Sequence, residues 1–115
     1  MIKIWHNPRC SKSREAKTIL EESKEEFEVF EYLKNDFTKN DIKIIMDQLG
    51  INDIKDMLRK KEKEYKELEI DLKTQDEILD ILLKIPKLIE RPIIIKNNKA
   101  VIARPMENLT ELLKG

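Results

Sequence analysis

The chain carries a single cysteine, Cys10, and only five arginines, Arg9, Arg14, Arg59, Arg91 and Arg104, among 23 basic residues. Those two residue types do different chemistry. A cysteine reacts as the thiolate, and it becomes reactive where its surroundings favour negative charge. An arginine offers a planar fork of donors that grips oxyanions in a way lysine cannot. Cys10 falls where the turn-forming run His6-Asn7-Pro8-Arg9 gives way to a helical pattern. It therefore lies at or beside a helix N-terminus, whose unpaired N–H groups and positive dipole end stabilise a thiolate and bind oxyanions. Ser11 and Ser13 add hydroxyls in the first turn, and Arg9 and Arg14 flank the cysteine. The setting points to a nucleophilic thiol rather than a buried, inert one.

Two absences narrow the mechanism. Position 16 is alanine, so the Cys-x5-Arg loop of phosphatase-like enzymes is missing, and position 13 is serine, so there is no Cys-x-x-Cys dithiol. With one thiol the chain closes no internal disulfide. Any two-electron redox chemistry at Cys10 then needs a resolving thiol from outside, such as glutathione, glutaredoxin or another dithiol protein. A Cys-rich metal site is excluded for the same reason.

The elements that must position these residues follow from the patterning. Ile2 and Ile4 alternate with Lys3 and Trp5, which predicts a first strand over 2–5. Ser11 to Ser23 is helical, with Ala16, Ile19 and Leu20 on one face, and Phe27 to Leu33 reads as a second strand. Thr38 and Asp41 resemble a capping box before the stripe Ile42, Ile45, Met46 and Leu49, which stops at Gly50. Asn52 is expected to cap a short helix through Met57 and Leu58, delivering Arg59 near its end. Lys60 to Lys66 reads as a solvated turn or helix face. Thr74 to Glu77 is a second capping box, opening a helix that Pro86 ends. Pro92 to Lys96 is expected to be a third strand, turned at Asn97-Asn98 into a fourth over Ala100 to Ala103. Pro105 is expected to start a last helix carrying Leu109, Leu112 and Leu113. The order is β-α-β, a helical block over about 38–86, then β-β-α. It predicts one α/β domain over 1–115, built on a four-stranded mixed sheet.

Composition sets outer bounds. A chain of 115 residues can bury one core. The 23 basic residues are balanced by 23 acidic ones, without the basic surplus that drives phosphate-backbone binding. No nucleic-acid partner is expected. No leader pattern and no membrane-length apolar run is visible, so the expectation is a soluble cytoplasmic monomer.

At this point the residues resemble a known family, the glutaredoxin-coupled arsenate reductases, whose thioredoxin-like fold carries a helical insertion. The run His6 to Glu15 is similar to that family's nucleophile motif. Met57-Leu58-Arg59-Lys60 resembles its first anion-binding arginine, and Ile89-Glu90-Arg91-Pro92-Ile93 its second, where the family has a cis proline before a strand. Ala103-Arg104-Pro105 resembles the third. The resemblance implies that Cys10 is the nucleophile, that Arg59, Arg91 and Arg104 bind arsenate with help from Ser11, and that His6 and Ser13 tune or hydrogen-bond the thiolate. It also implies a cis bond before Pro92. No metal or bound cofactor is expected, and glutathione would serve as co-substrate, with glutaredoxin or another external thiol donor as partner.

Two other classes share the scaffold. A glutathione-dependent thiol oxidoreductase would also use Cys10, although thiol–disulfide exchange has no need of three arginines. The Spx-type regulators bind RNA polymerase, and many carry the Cys-x-x-Cys switch that this chain lacks.

Overall fold

The computed structural model describes all residues, 1–115. In chain order the elements are β1 (Ile2–Trp5), α1 (Ser11–Ser23), β2 (Phe27–Phe30), α2 (Lys39–Leu49), α3 (Lys63–Glu67), α4 (Gln75–Lys84), β3 (Ile93–Lys96), β4 (Lys99–Ile102) and α5 (Glu107–Lys114). Short 3₁₀ turns at Ile54–Met57, Ile70–Leu72 and Pro86–Leu88 connect the middle helices. The chain forms two compact units, residues 1–35 with 91–115 and residues 36–90.

The first unit holds the sheet, in the order β2-β1-β3-β4. β1 and β2 are parallel, with Ile2 opposite Phe27 and Trp5 opposite Phe30. β3 is antiparallel to both β1 and β4. This is the four-stranded mixed sheet with flanking helices of a thioredoxin-like fold. Alternation along β1 decides what each face does. Ile2 and Ile4 pack with Ala16 and Leu20 of α1, Ile94 of β3, Ala103, and Leu109 of α5 into one fully buried cluster. Burying a large aliphatic side chain contributes about 1.5–3 kcal/mol, so these residues fix where the helices lie. On the opposite face Trp5 stacks at 5.8 Å on Tyr32 and tilts at 4.9 Å against Phe30.

The second unit is helical. Thr38 and Thr74 each close a capping box, with Asp41 and Glu77, and Gly50 ends α2 at a φ of +73° where a left-handed residue is required. The segment leading to Arg59 differs from expectation. It is a 3₁₀ turn, and its cap is Asp53 rather than Asn52, because the Asp53 carboxylate accepts the Lys55 N–H at 2.9 Å. Leu58 then bridges Ile89 in antiparallel fashion, and the Arg59 N–H donates to the Leu88 carbonyl at 2.7 Å.

Several boundaries also move, β3 starting at Ile93 and β4 ending at Ile102, each one residue inside the expected limit. β2 stops at Phe30 because the chain turns there, with the Lys34 and Asn35 N–H groups donating to the Glu31 carbonyl. β4 starts at Lys99 because Asn97 and Asn98, both at positive φ, make a two-residue hairpin loop. Pro105 does not open the last helix. Its bond to Arg104 is cis, and α5 begins two residues later, at Glu107.

Candidate active site

The sheet register gathers the site. β1 ends at Trp5, opposite Ile93 at the start of β3, and Ile93 in turn faces Ile102 at the end of β4. The Ala103 N–H donates to the Pro92 carbonyl at 3.0 Å, extending that pairing by one step. Continuing outward, the nucleophile loop, Arg91 and Arg104 all emerge at one end of the sheet. The strand pairing that buries Ile4 and Ile94 is thus also what brings together residues far apart in sequence.

Cys10 is the N-cap of α1, in extended conformation, and its side chain is partly exposed. The thiol closes no side-chain cap hydrogen bond. Arg104 Nη2 lies 3.5 Å from Sγ, a hydrogen-bond distance for sulfur. Burial pushes the Cys10 thiol up, but the Ser13 N–H, the Arg91 guanidinium and the Lys12 N–H outweigh it together, and the net result lies below the usual thiol value. Arg91 thus favours the thiolate, while Arg104 makes the 3.5 Å contact with the sulfur.

The two arginines are not independent. Arg104 Nε donates to the backbone carbonyl of Arg91 at 2.8 Å, which aims the Arg104 fork. The peptide bond between Arg91 and Pro92 is cis. Arg91 Nε is buried and makes no hydrogen bond, so this guanidinium still has a donor to offer an acceptor. A buried donor left unmade is costly, and an oxyanion would relieve that cost.

Three residues of the nucleophile loop and first turn form a buried, hydrogen-bonded polar cluster. Ser13 is completely buried, and His6 and Asn7 nearly so. Ser13 Oγ accepts the Asn7 N–H at 3.0 Å and lies 2.6 Å from His6 Nδ1. Burial lowers the pKa of His6, and the charge on Lys17 pushes the same way, against the opposing effect of Glu31. The two side chains share one hydrogen bond, donated by the Ser13 hydroxyl or by Nδ1 according to the imidazole tautomer. Ser13 reaches the sulfur through its N–H, and His6 acts on it through the Ser13 side chain.

Asn7 does more than sequence reasoning gave it. Its Oδ1 accepts the Arg9 N–H at 3.0 Å, its carbonyl accepts the Cys10 N–H at 3.0 Å, and its own N–H goes to Ser13. It is the post on which the nucleophile loop is hung. The signal was present in the sequence, since an Asn before Pro favours a turn closed by its own side chain. Arg14 is likewise a brace, its Nη1 donating to the Pro8 carbonyl at 3.0 Å. Ser11 is exposed at the first helical position. Arg59 belongs to the second unit, where Glu62 pairs with its Nη1 and Glu90 lies 3.8 Å from its Nε.

The arrangement is a stabilised thiolate beside two guanidiniums at a helix start, which suits attack on a tetrahedral oxyanion. No helix of the structure is long and apolar enough to cross a membrane. An arsenate reductase of Neisseria meningitidis is 42% identical over 114 residues, covering 97% of both chains. Uncharacterized protein YfgD of Escherichia coli is 39% identical, covering 97% of this chain and 96% of that one. Among solved structures, an arsenate reductase from Vibrio cholerae matches with a TM-score of 0.91 at 38% identity, covering 96% of this chain and 95% of that one. Residues 5–112 match the ArsC family, and with relatives this similar over nearly its whole length, the chain belongs to that family.

Proposed function

We propose that this chain is an arsenate reductase in which Cys10 is the nucleophile and external thiols supply the electrons. The observation that carries the reading is the Cys10 sulfur at the start of α1 with Arg104 at 3.5 Å and Arg91 holding the thiolate, in a chain of the ArsC family.

Arsenate near neutral pH is largely a dianion. Two guanidiniums offset that charge, so substrate and thiolate can share the site. The Cys10 thiolate attacks arsenic, an arsenic–oxygen bond breaks, and the oxygen leaves as water after taking up protons. Arsenic is still arsenic(V) in this thiol adduct. A glutathione thiolate then attacks the Cys10 sulfur. The sulfur–arsenic electron pair passes to arsenic, which becomes arsenic(III) and leaves as arsenite. A glutaredoxin thiol attacks the glutathione sulfur of the remaining mixed disulfide and returns Cys10 as thiolate. Ser13 holds the thiolate through its backbone N–H, and His6 positions Ser13 through their side-chain hydrogen bond. The chemistry suits the cytoplasm, since that compartment keeps such thiols reduced.

The test is NADPH consumption with arsenate, glutathione, glutaredoxin and glutathione reductase. Turnover that requires arsenate and is lost in Cys10→Ser supports the reading. Thiol-dependent turnover of a disulfide substrate, with none of arsenate, would favour a thiol oxidoreductase instead.

A further inference from the structure

β1 and β2 run parallel and end side by side, the His6 N–H donating to the Phe30 carbonyl at 2.9 Å. Beyond that bond their loops diverge and enclose a cleft of about 220 Å³, lined by His6, Pro8, Arg9, Glu31, Leu33 and Lys34 among others. Crevices outside the carboxyl ends of parallel strands are where α/β folds bind ligands. The lining is specific in its chemistry: two cations, one carboxylate, and two apolar side chains between them. Leu33 is 42% exposed, which leaves its side chain available to a ligand in the cleft. Lys34 and Glu31 are 3.7 Å apart on the surface, a pair too weak to resist a competing ligand. Pro8 and Arg9 immediately precede Cys10 in the chain, so the cleft borders the nucleophile loop.

We propose that this cleft is the docking site for the small thiol co-substrate, a zwitterionic peptide thiol of the glutathione class. Such a molecule carries two carboxylates and one ammonium at neutral pH, the mirror of Arg9, Lys34 and Glu31. Pro8 and Leu33 cover its uncharged peptide body. The cleft thereby separates the two substrates: the oxyanion on Arg91 and Arg104, and the thiol on the far side of the nucleophile loop. This assignment rests on the function proposed above.

Two measurements test it, and they fail separately from that function. First, Cys10→Ser is titrated with S-methylglutathione, which binds without reacting, and the amide resonances are followed by NMR. The expected result is saturable shifts confined to residues 6–9 and 31–34, with Lys34→Glu weakening binding about tenfold. Absent binding, shifts elsewhere, or no effect of Lys34→Glu would overturn the assignment, whatever the chain does with arsenate. Second, in the coupled assay Lys34→Glu raises KM for glutathione about tenfold while kcat and KM for arsenate hold. Activity driven by dithiothreitol, which has neither carboxylate nor ammonium, is unchanged. An equal loss with dithiothreitol, or a change confined to KM for glutaredoxin, would contradict the proposal. If the wild type turns over no arsenate with either thiol, the proposed function fails, and the titration alone decides the cleft.

Discussion

The backbone carbonyl of Arg91 holds the side chain of Arg104, through a 2.8 Å hydrogen bond from Nε, at the distance where Arg104 Nη2 meets the Cys10 sulfur. One arginine lowers the thiol pKa and its main chain aims the other. The two therefore differ in what their loss does, even though both are cations beside the same sulfur.

Arg91→Ala should raise the Cys10 pKa more than Arg104→Ala does, because Arg91 is the guanidinium that most favours the thiolate. Both variants should lose arsenate kcat/KM, by about 10²-fold or more if they stabilise developing charge as oxyanion donors do. Thiolate absorbance followed against pH reads the first effect, and steady-state kinetics the second. Equal pKa changes in the two variants would contradict the division of labour.

Arg104→Lys should also be impaired. Lysine keeps the charge, but its three donors share one nitrogen and cannot reproduce the separate Nε contact with the Arg91 carbonyl and Nη2 contact with sulfur. Its kcat/KM for arsenate should lie closer to that of Arg104→Ala than to wild type, in the same kinetic comparison.

Much of this was legible in sequence, for a physical reason. β1, α1 and both capping boxes are local, and the alternation of Ile2 and Ile4 or the pairing of Thr74 with Glu77 needs no distant partner. The 3₁₀ turn before Arg59 was not legible, because Asn52 and Asp53 are both good caps and the choice rests on backbone geometry. The cis bond at Pro105 and the Arg104–Arg91 contact were also hidden. They depend on the pairing of β3 with β4, a tertiary fact. The nucleophile could be read from its neighbours; the arginines that complete it came from resemblance alone.

The buried His6 makes stability depend on pH. Its pKa is lowered in the folded chain from 6.5, so between those two values the unfolded state binds more protons. Folding free energy should be fully present above about 6.5 and fall as pH drops through the folded value. His6→Asn should flatten that dependence. Urea titrations across that range give the slope, and an unchanged slope in the variant would rule out His6 as its source.

Ser13→Ala removes the hydrogen-bond partner of His6 Nδ1 and the acceptor of the Asn7 N–H, leaving two buried groups unmet. The expected loss is about 1–3 kcal/mol for each such group, measured by chemical denaturation. Ser11→Ala, on the exposed first helical position, should cost far less. Comparable losses would mean the buried cluster is not what supports the loop.

Leu20→Ala should cost about 2–5 kcal/mol, since Leu20 is fully buried among Ile2, Ile4, Ile94 and Leu109. Thr74→Ala, which removes one cap of α4, should cost only about 1 kcal/mol. Thermal melts of the two variants check the ranking.

The most direct test of the central claim is a single turnover without glutaredoxin. The chain is mixed with arsenate and glutathione, arsenite is quantified, and the protein is analysed by mass spectrometry. The account predicts arsenite in stoichiometric amount and a glutathione mixed disulfide on Cys10, both requiring arsenate and both absent in Cys10→Ser. No arsenite from the wild type, or arsenite formed equally by the serine variant, would contradict it.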